Sequence, residues 1–515
     1  MNNKMTEKIS LEEILYYIMF SLLISLKGLG LDEASFLFRV GLVIALFVFG
    51  MKILIGKYSI KELLLIALGG VWGSFVFFNV GSLSILIYAL IIFGMKNISV
   101  SKVMKVGAVV YSVCFFVTVT AALFFHRPGV QLVHEKLGLG PILRESLGYT
   151  HPNVLHVTYI VLMAFVLYGC KKENVFKTIA ALMLGNIFVF IYSLSYTGLL
   201  ISVAMIFIYL YFIYRKKISA IENDLIKCIL PLCICVSTIV AYVVEGRIYE
   251  VLNKLLNNRV WAIKVFFDDY NLTALGEKIL RSGFSLDNSY IYALAWYGMV
   301  FLVIIVIGYW LLIEKYLKED KRRELAIIIA FLFAGMTEQF LFNASIKNIT
   351  FIFLGDVVFR NIQEENKELD LLSKYNRFWN ISFNKLIIVW EKGKKINWKK
   401  ILVSYLLVNV LALGVLLFIP TNRYERVYVN ERMCDCNGEI VEKEEILKGF
   451  DTLVVGDIAI GEYCYYFNKE NSNLIAVMDA RYKLSLSIYV SFFITIAGSI
   501  IVGKIAESKR NKDGR

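Results

Sequence analysis

Arginine is the residue type that stands out in the long polar segments between the apolar runs of this 515-residue chain. A guanidinium group is permanently charged and can bind two oxygens of one phosphate, so it suits a diphosphate ligand. Taken singly, each of these arginines fits a solvated or headgroup-paired residue better than a ligand-binding one. The candidates are Arg127, Arg144, Arg247, Arg259 and Arg281.

Two other residues have the chemistry of a general base for a hydroxyl group. His151 precedes Pro152, which suits the first turn of a helix, and imidazole has a reference pKa of about 6.5. Glu338 lies in an apolar run, where an ionisable residue is a functional candidate by default. A hydrogen-bonded histidine and an interhelical ion pair are the structural alternatives. We expect no two-histidine metal site, because His156 lies about 140° around a helix from His151.

The composition places the chain in a membrane. Hydrophobic residues make up 58% of the sequence and charged residues 19%, whereas soluble proteins are about 45–50% apolar and about 25% charged. These values exclude a disordered, collagen-like or disulfide-rich secreted protein. The net charge of +13 could suggest nucleic acid. Most basic residues, however, lie on one predicted side of the membrane, so no nucleic-acid partner is expected.

Apolar runs of roughly 20 residues can cross a lipid bilayer as helices. We predict an all-α polytopic integral membrane protein with about 14 transmembrane helices. The candidate spans are 13–27, 35–51, 62–78, 80–95, 106–125, 153–170, 178–194, 198–214, 228–244, 290–313, 325–341, 348–359, 401–420 and 484–503.

The distribution of lysine and arginine predicts that both termini are cytoplasmic and that three long segments face outward. The outward segments are 126–151, 245–289 and 421–482. The predicted division is a membrane body at 1–360, a charged cytoplasmic linker at 361–400, a two-helix module at 401–503 and a cytoplasmic tail at 504–515.

We predict that the segment 421–482 forms a small α/β-like domain outside the membrane, between the two helices of the module at 401–503. Strand-like apolar runs lie at 425–429, 452–456 and 474–478. Cys434, Cys436 and Cys464 share this segment with no histidine, so a four-ligand zinc site is incomplete within it. One disulfide among the three cysteines remains open.

The segment 245–289 predicts two short amphipathic helices, because apolar residues recur at helical spacing on both sides of Asn257-Asn258. Arg247 and Arg259 would lie about 120° apart on one continuous helix. They can share a site only if the two asparagines redirect the chain. The helices suit a lid over a lipid-anchored substrate, and a structural plug over a transporter is the equal alternative.

Five segments form a familiar pattern: RESLGYTHPN (144–153), YSLSYTG (192–198), NNRVWAIKVFFDDYNLTALG (257–276), DNSYIYALAWYG (287–298) and TEQFLFN (337–343). Together they resemble the bacterial O-antigen and capsule polymerase family, part of the O-antigen ligase/polymerase superfamily, over roughly 1–360. In that family the outer turn corresponding to 192–198 often carries an arginine after the serine, whereas this chain has Tyr196. A phosphate-binding role for that turn is therefore in doubt.

The resemblance implies a glycosyltransferase of the bacterial plasma membrane, which joins polyprenyl-diphosphate-linked oligosaccharide units at the outer face of the lipid bilayer. It implies no nucleotide, metal or other cofactor, and its partner proteins would be a flippase and a chain-length regulator. A flippase for the same lipid-linked units and a ligase of finished glycans are the alternatives. The expected catalytic residues are His151, Glu338 and Arg259, and the expected substrate-binding residues are Arg144, Arg247, Arg259, Arg127, Asn153, Asp287 and Asn288.

Overall fold

A computed structural model shows a predominantly helical protein, and all structural statements refer to the residues that it describes. In these residues, nine helices are long and apolar enough to cross a membrane, or ten if one bent helix pair counts as a single span. The helical membrane character is as predicted. The described residues are 6–124, 131–136, 140–256, 258–279, 285–360, 368–369, 372–382, 398–419, 427–429, 463–465 and 472–513.

The helices follow the apolar runs of the sequence. In chain order they are α1 (Leu11–Gly28), α2 (Phe36–Ile55), α3 (Ile60–Val80), α4 (Ser84–Gly94), α5 (Val100–Phe124), α6 (Pro152–Gly169), α7 (Val175–Ser193), α8 (Tyr196–Tyr214), α9 (Ala220–Lys227), α10 (Ile229–Val243), α11 (Gly246–Leu255), α12 (Arg259–Asp269), α13 (Ser289–Lys318), α14 (Arg322–Gly335), α15 (Thr350–Arg360), α16 (Trp398–Leu417) and α17 (Ser472–Asp513).

Strands are short and occur in pairs. They are β1 (Thr6–Ser10), β2 (Tyr58–Ser59), β3 (Gln131–Lys136), β4 (Gly140–Glu145), β5 (Glu368–Leu369), β6 (Phe378–Ser382), β7 (Val427–Val429) and β8 (Tyr463–Tyr465). Strand β2 pairs with β5, β3 pairs with β4, and β7 pairs with β8, each antiparallel. Each pairing supplies hydrogen-bond partners for backbone N–H and C=O groups, which in a helix would find their partners within the helix.

The chain forms two compact units. The larger comprises Ile9–Phe116 and Asn153–Trp379, and the smaller comprises Met1–Lys8, Val117–Pro152 and Asn380–Arg515. The residues 117–152 thus fall in the same compact unit as the C-terminal part of the chain. Within the smaller unit, the Tyr482 hydroxyl donates to the Leu123 carbonyl, and Arg481 forms a buried ion pair with Glu145.

Helix α13 is broken at Gly298, and the loop before the helix fills the break. Gly298 has φ 80° and ψ 178°, a conformation that is essentially restricted to glycine. The amides of Met299 and Val300 donate to the carbonyls of Thr273 (3.0 Å) and Ala274 (3.1 Å). Residues 299–318 still suffice to cross a bilayer. The loop that follows α12 therefore accepts hydrogen bonds from the amides that the break leaves free, and these bonds also hold the loop in place.

A buried irregular segment, residues 336–349, connects α14 to α15. At about 1.5 Å per residue, neither of these helices is long enough to cross a hydrocarbon core about 30 Å thick. Helix α14 ends at Gly335, six residues before the end of the predicted span 325–341. Side chains satisfy the carbonyls of the segment: Asn288 binds that of Met336, Asn348 that of Leu341, Tyr297 that of Phe342 and Tyr88 that of Asn343.

In the smaller unit, α16 and α17 pack against each other. The Asn409 amide donates to Ser487 Oγ at 3.4 Å. Of the predicted α/β-like domain, β7 overlaps the run 425–429, and the run 452–456 lies outside the described residues. The strand prediction at 474–478 was wrong, because these residues lie in α17. Asp479, Arg481 and Lys483 separate this run from the membrane span. No proline or glycine lies between them, so one helix extends back through the run.

We predict that Gly298→Ala destabilises the protein by about 1–3 kcal/mol or more. An added Cβ would lie 2.4 Å from the Ala274 carbonyl oxygen, and the backbone conformation itself costs about 1–3 kcal/mol for other residues. The measurement is thermal unfolding of the protein purified in detergent, followed by near-UV circular dichroism.

Gly308→Ala is the matched control on the same helix. Its Cβ would make only ordinary contact, with the nearest Leu354 atom at 3.4 Å. Alanine is favoured over glycine inside a helix by about 1 kcal/mol, so this variant should unfold at the wild-type temperature or slightly above. Equal unfolding temperatures for the two variants would contradict the break at Gly298.

Candidate functional site

The centre of the candidate site is Arg259, the first residue of α12. Only 8% of this residue is exposed. Its Nη2 lies 3.0 Å from Glu338 Oε1, and its Nε lies 3.3 Å from Asp287 Oδ2. Three residues that the sequence singled out are therefore brought together from three separate segments. Within the described residues, the guanidinium gives two of its five N–H groups to these carboxylates, which leaves three for a ligand.

Glu338 lies in the buried segment 336–349, just beyond the end of α14. Its Oε1 also accepts a 2.9 Å hydrogen bond from the Thr197 hydroxyl. Burial raises the pKa of the Glu338 carboxyl above its usual value, and the nearby Asp287 adds to this. The Arg259 guanidinium and the Thr197 hydroxyl act in the opposite direction. A carboxylate with a raised pKa is a stronger proton acceptor than one at its usual pKa.

Asp287 and Asn288 have different roles at the start of α13. Asp287 is the second carboxylate facing Arg259. Asn288 is almost fully buried and caps the helix, because its Oδ1 accepts from the amides of Tyr290 and Ile291. Its Nδ2 donates to Ser237 Oγ at 2.8 Å. These bonds indicate that Asn288 holds the start of α13 in position.

The predicted pair of short helices in 245–289 is confirmed as α11 and α12. Asn258, between them, has φ 62°, so the chain is redirected where the sequence suggested. The apolar face of α12 packs through Ile263 and Phe266 into a buried cluster with α10 and α13. Arg247 is exposed on α11, whereas Arg259 bonds to Asp287 and Glu338.

Helix α11 presents an apolar face that is open in the described residues. The exposed fractions of Ile248, Val251 and Leu255 are 67%, 51% and 59%. Apolar residues at this spacing with charged residues between them are typical of a helix that lies in a membrane interface. Helix α11 thus leaves its apolar face exposed, whereas α12 buries its apolar face in the cluster with α10 and α13.

His156 is fully buried on α6, and its ring is hydrogen-bonded on both nitrogens. Nδ1 lies 3.0 Å from Ser193 Oγ, and Nε2 lies 2.8 Å from Asn186 Oδ1. The ring packs against Gly198, where an added Cβ would lie 2.4 Å from it. The structural alternative is therefore confirmed for His156. Its packing positions the turn that carries Thr197.

The other predicted site residues are spread over both units and the undescribed part of the chain. Arg144, on β4, is buried in the smaller unit, next to Glu145, which pairs with Arg481. His151 is half-buried in the same unit. Asn153 is half-buried at the start of α6 in the larger unit. Arg127 and Arg281 lie outside the described residues.

Sequence reasoning missed two residues. Thr197 lies in the first turn of α8, and it reaches Glu338 across 141 positions of sequence. Lys347 is 3% exposed, nine residues after Glu338 in the same segment. The one available signal was that Lys347 is the only charged residue between Glu338 and Asp356, in a stretch where an ionisable residue is costly.

No family profile, curated protein or solved structure matches the chain. The geometry of the site is therefore the main basis for a proposed function.

We predict that Arg259→Met lowers the stability of the ligand-free protein by about 3–5 kcal/mol. The substitution leaves the Glu338 carboxylate buried without its counter-charge, and breaking a buried pair from one side has a cost of that size. The double variant Arg259→Met/Glu338→Gln should recover most of the loss. Thermal unfolding in detergent measures both.

Arg215→Met is the control for the loss of an arginine. Its ion pair with Glu222 is exposed, so the unfolding temperature should hardly change. If the double variant were as unstable as the sum of the two single variants, Arg259 and Glu338 would not interact.

Proposed function

We propose that the protein is a membrane glycosyltransferase that joins polyprenyl-diphosphate-linked oligosaccharide units into a surface polysaccharide. The observation that carries the proposal is the buried Arg259 guanidinium, held by two carboxylates, with three N–H groups left for an anion. The resemblance of the surrounding segments to polysaccharide polymerases agrees with this. No metal or nucleotide takes part in the proposed reaction.

The donor half of the reaction uses Arg259. The bond between the anomeric carbon of the donor sugar and the diphosphate oxygen breaks, and negative charge develops on the departing polyprenyl diphosphate. A guanidinium placed in advance in a largely dry site stabilises this charge more than it would in water. The exposed apolar face of α11 suits a substrate whose lipid part stays in the membrane.

The acceptor half uses Glu338. The acceptor hydroxyl oxygen forms the new bond to the anomeric carbon, and its proton passes to the Glu338 carboxylate. Thr197 donates a hydrogen bond to Oε1 of this carboxylate, so a hydroxyl is already accommodated at hydrogen-bonding distance. When Arg259 turns from Glu338 to a diphosphate, the carboxylate loses its counter-charge and becomes a stronger base. Donor binding thus prepares the base for the acceptor.

The proposed setting is a bacterial plasma membrane, with the site at the outer face and both termini in the cytoplasm. The positive-inside distribution of lysine and arginine supports this orientation. The proposed partner proteins are a flippase that supplies the lipid-linked units and a chain-length regulator. We assign the C-terminal module a docking or stabilising role.

A transporter of the same lipid-linked units is the second candidate function. It is favoured by the break in α13 at Gly298, because transporters build substrate sites from discontinuous helices. Purified protein in detergent separates the two functions. Elongation of lipid-linked units without a sealed membrane would exclude transport as the sole activity, and transport into vesicles without elongation would exclude the polymerase.

We predict that Glu338→Gln lowers the elongation rate by about 10²–10⁴-fold, the usual contribution of a general base. Arg259→Lys should also elongate poorly, because an ammonium keeps the charge but lacks the fork that binds two phosphate oxygens. Product ladders from purified protein, lipid-linked units and detergent measure both effects.

Glu324→Gln is the matched control. Glu324 is equally buried and also accepts a hydrogen bond from a hydroxyl, that of Tyr168 at 3.1 Å. It lies at the opposite end of α14 from Glu338, so its variant should elongate at the wild-type rate. Wild-type elongation by Glu338→Gln would refute the role of Glu338 as base.

A further inference from the structure

Lys347 differs from every other buried lysine in the described residues. Four lysines are buried there, and three of them have a carboxylate partner: Lys52 with Glu12, Lys96 with Glu62 and Lys483 with Asp479. Lys347 Nζ has a single bond, 3.1 Å to the carbonyl oxygen of Val154. A neutral carbonyl accepts one N–H group but supplies no counter-charge. Buried charges are normally paired, so this amine has capacity for an anion.

The surroundings place this amine at the candidate site. Val154 follows Asn153 at the start of α6, and Lys347 shares the segment 336–349 with Glu338. The preceding residue, Ile346, has φ 57°, a strained conformation for a β-branched residue that persists only where surrounding contacts impose it. The backbone is thus held in a costly form next to the lysine.

We propose that Lys347 is a second anion-binding residue of the site, whose ammonium takes a phosphate oxygen of a diphosphate-bearing lipid substrate. The identity of the ligand rests on the proposed function, whereas the capacity to bind phosphate can be measured without turnover. The lysine stem is flexible, so the ammonium can leave Val154 while the backbone stays in place. With Arg259, the site would then contain two cations on the same substrate group.

Electrostatics support the assignment. Burial lowers the pKa of the Lys347 amine to about 7, and Lys27 at the end of α1 acts in the same direction. Glu338, which Arg259 already holds, opposes this shift. At slightly alkaline pH the free amine is therefore mostly neutral, and a bound phosphate would supply the counter-charge that restores its proton.

The first test is the stability of Lys347→Met without ligand. A lysine that serves the fold would lose stability on replacement, whereas one kept for a ligand should be replaced by an apolar side chain with no loss or a gain. The sign of the pH dependence follows from the lowered pKa. The unfolded chain binds more protons between pH 7 and the usual lysine pKa of about 10.4, so wild-type stability rises across this range. The advantage of Lys347→Met should be largest at pH 7 and shrink towards pH 10.

The second test is calorimetric binding of inorganic pyrophosphate at pH 8 to the full chain in detergent, in two buffers of different ionisation enthalpy. Lys347→Met should weaken binding about tenfold or more. Wild type should take up close to one proton more than Lys347→Arg, which binds with a permanent charge. Glu338→Gln should keep this uptake, because the proton goes to Lys347. Lys264→Met, outside the site, should bind as wild type does.

Three results would overturn the proposal: a loss of stability in Lys347→Met, wild-type pyrophosphate binding by that variant, or equal proton uptake by wild type and Lys347→Arg. If Lys347→Met fails to fold, the first result applies, and Lys347→Arg still tests the proton count. Pyrophosphate binding through Lys347 without elongation by wild type would contradict only the proposed function. Elongation with unchanged binding in Lys347→Met would contradict only the role of Lys347.

Discussion

The ion pair between Arg259 and Glu338 is the interaction on which the candidate site depends. Both side chains are more than nine-tenths buried, and a buried charge is tolerated only when a partner compensates it. The pair therefore fixes the start of α12 against the segment 336–349, two parts of the chain 79 positions apart. Because α12 is also anchored by Ile263 and Phe266, the guanidinium has little freedom to move except at its tip.

Irregular backbone surrounds this pair, and its hydrogen bonds explain how it is maintained. The carbonyls of 336–349 are bound by tyrosine and asparagine side chains, and the free amides at the break in α13 are bound by the preceding loop. Non-helical backbone at membrane depth occurs where protein buries it or a cavity needs it. The positive φ of the β-branched Ile346 stores strain in the same segment as Glu338, which favours a functional role.

Much of the fold could be predicted from periodicity, whereas only part of the site could. The apolar runs predicted the helices, and Asn257-Asn258 marked the change of direction between α11 and α12. The run 474–478 looked like a strand because hydropathy alone does not distinguish a short strand from the first turns of a long helix. Glu338 was found because an ionisable residue in an apolar run is rare, and Arg259 because arginine stands out in the long polar segments. Asp287 was included only through the resemblance. Thr197 gave no such signal, since a threonine in a turn is common and its contact with Glu338 is tertiary.

The ion pair also constrains how an anionic ligand can enter. Asp287 and Glu338 compensate Arg259 in the ligand-free protein, so a diphosphate must compete with carboxylates that are already in place. Affinity from Arg259 alone is reduced by the cost of separating that pair. Lys347 has no such competitor among the described residues, and its amine need not carry a charge until the ligand arrives. Without ligand, the buried site would contain a guanidinium paired with carboxylates and an amine that carries no charge. With a diphosphate bound, both groups would be positively charged and would face the ligand. The carboxylate that Arg259 releases would remain beside the bound substrate, where a base is needed.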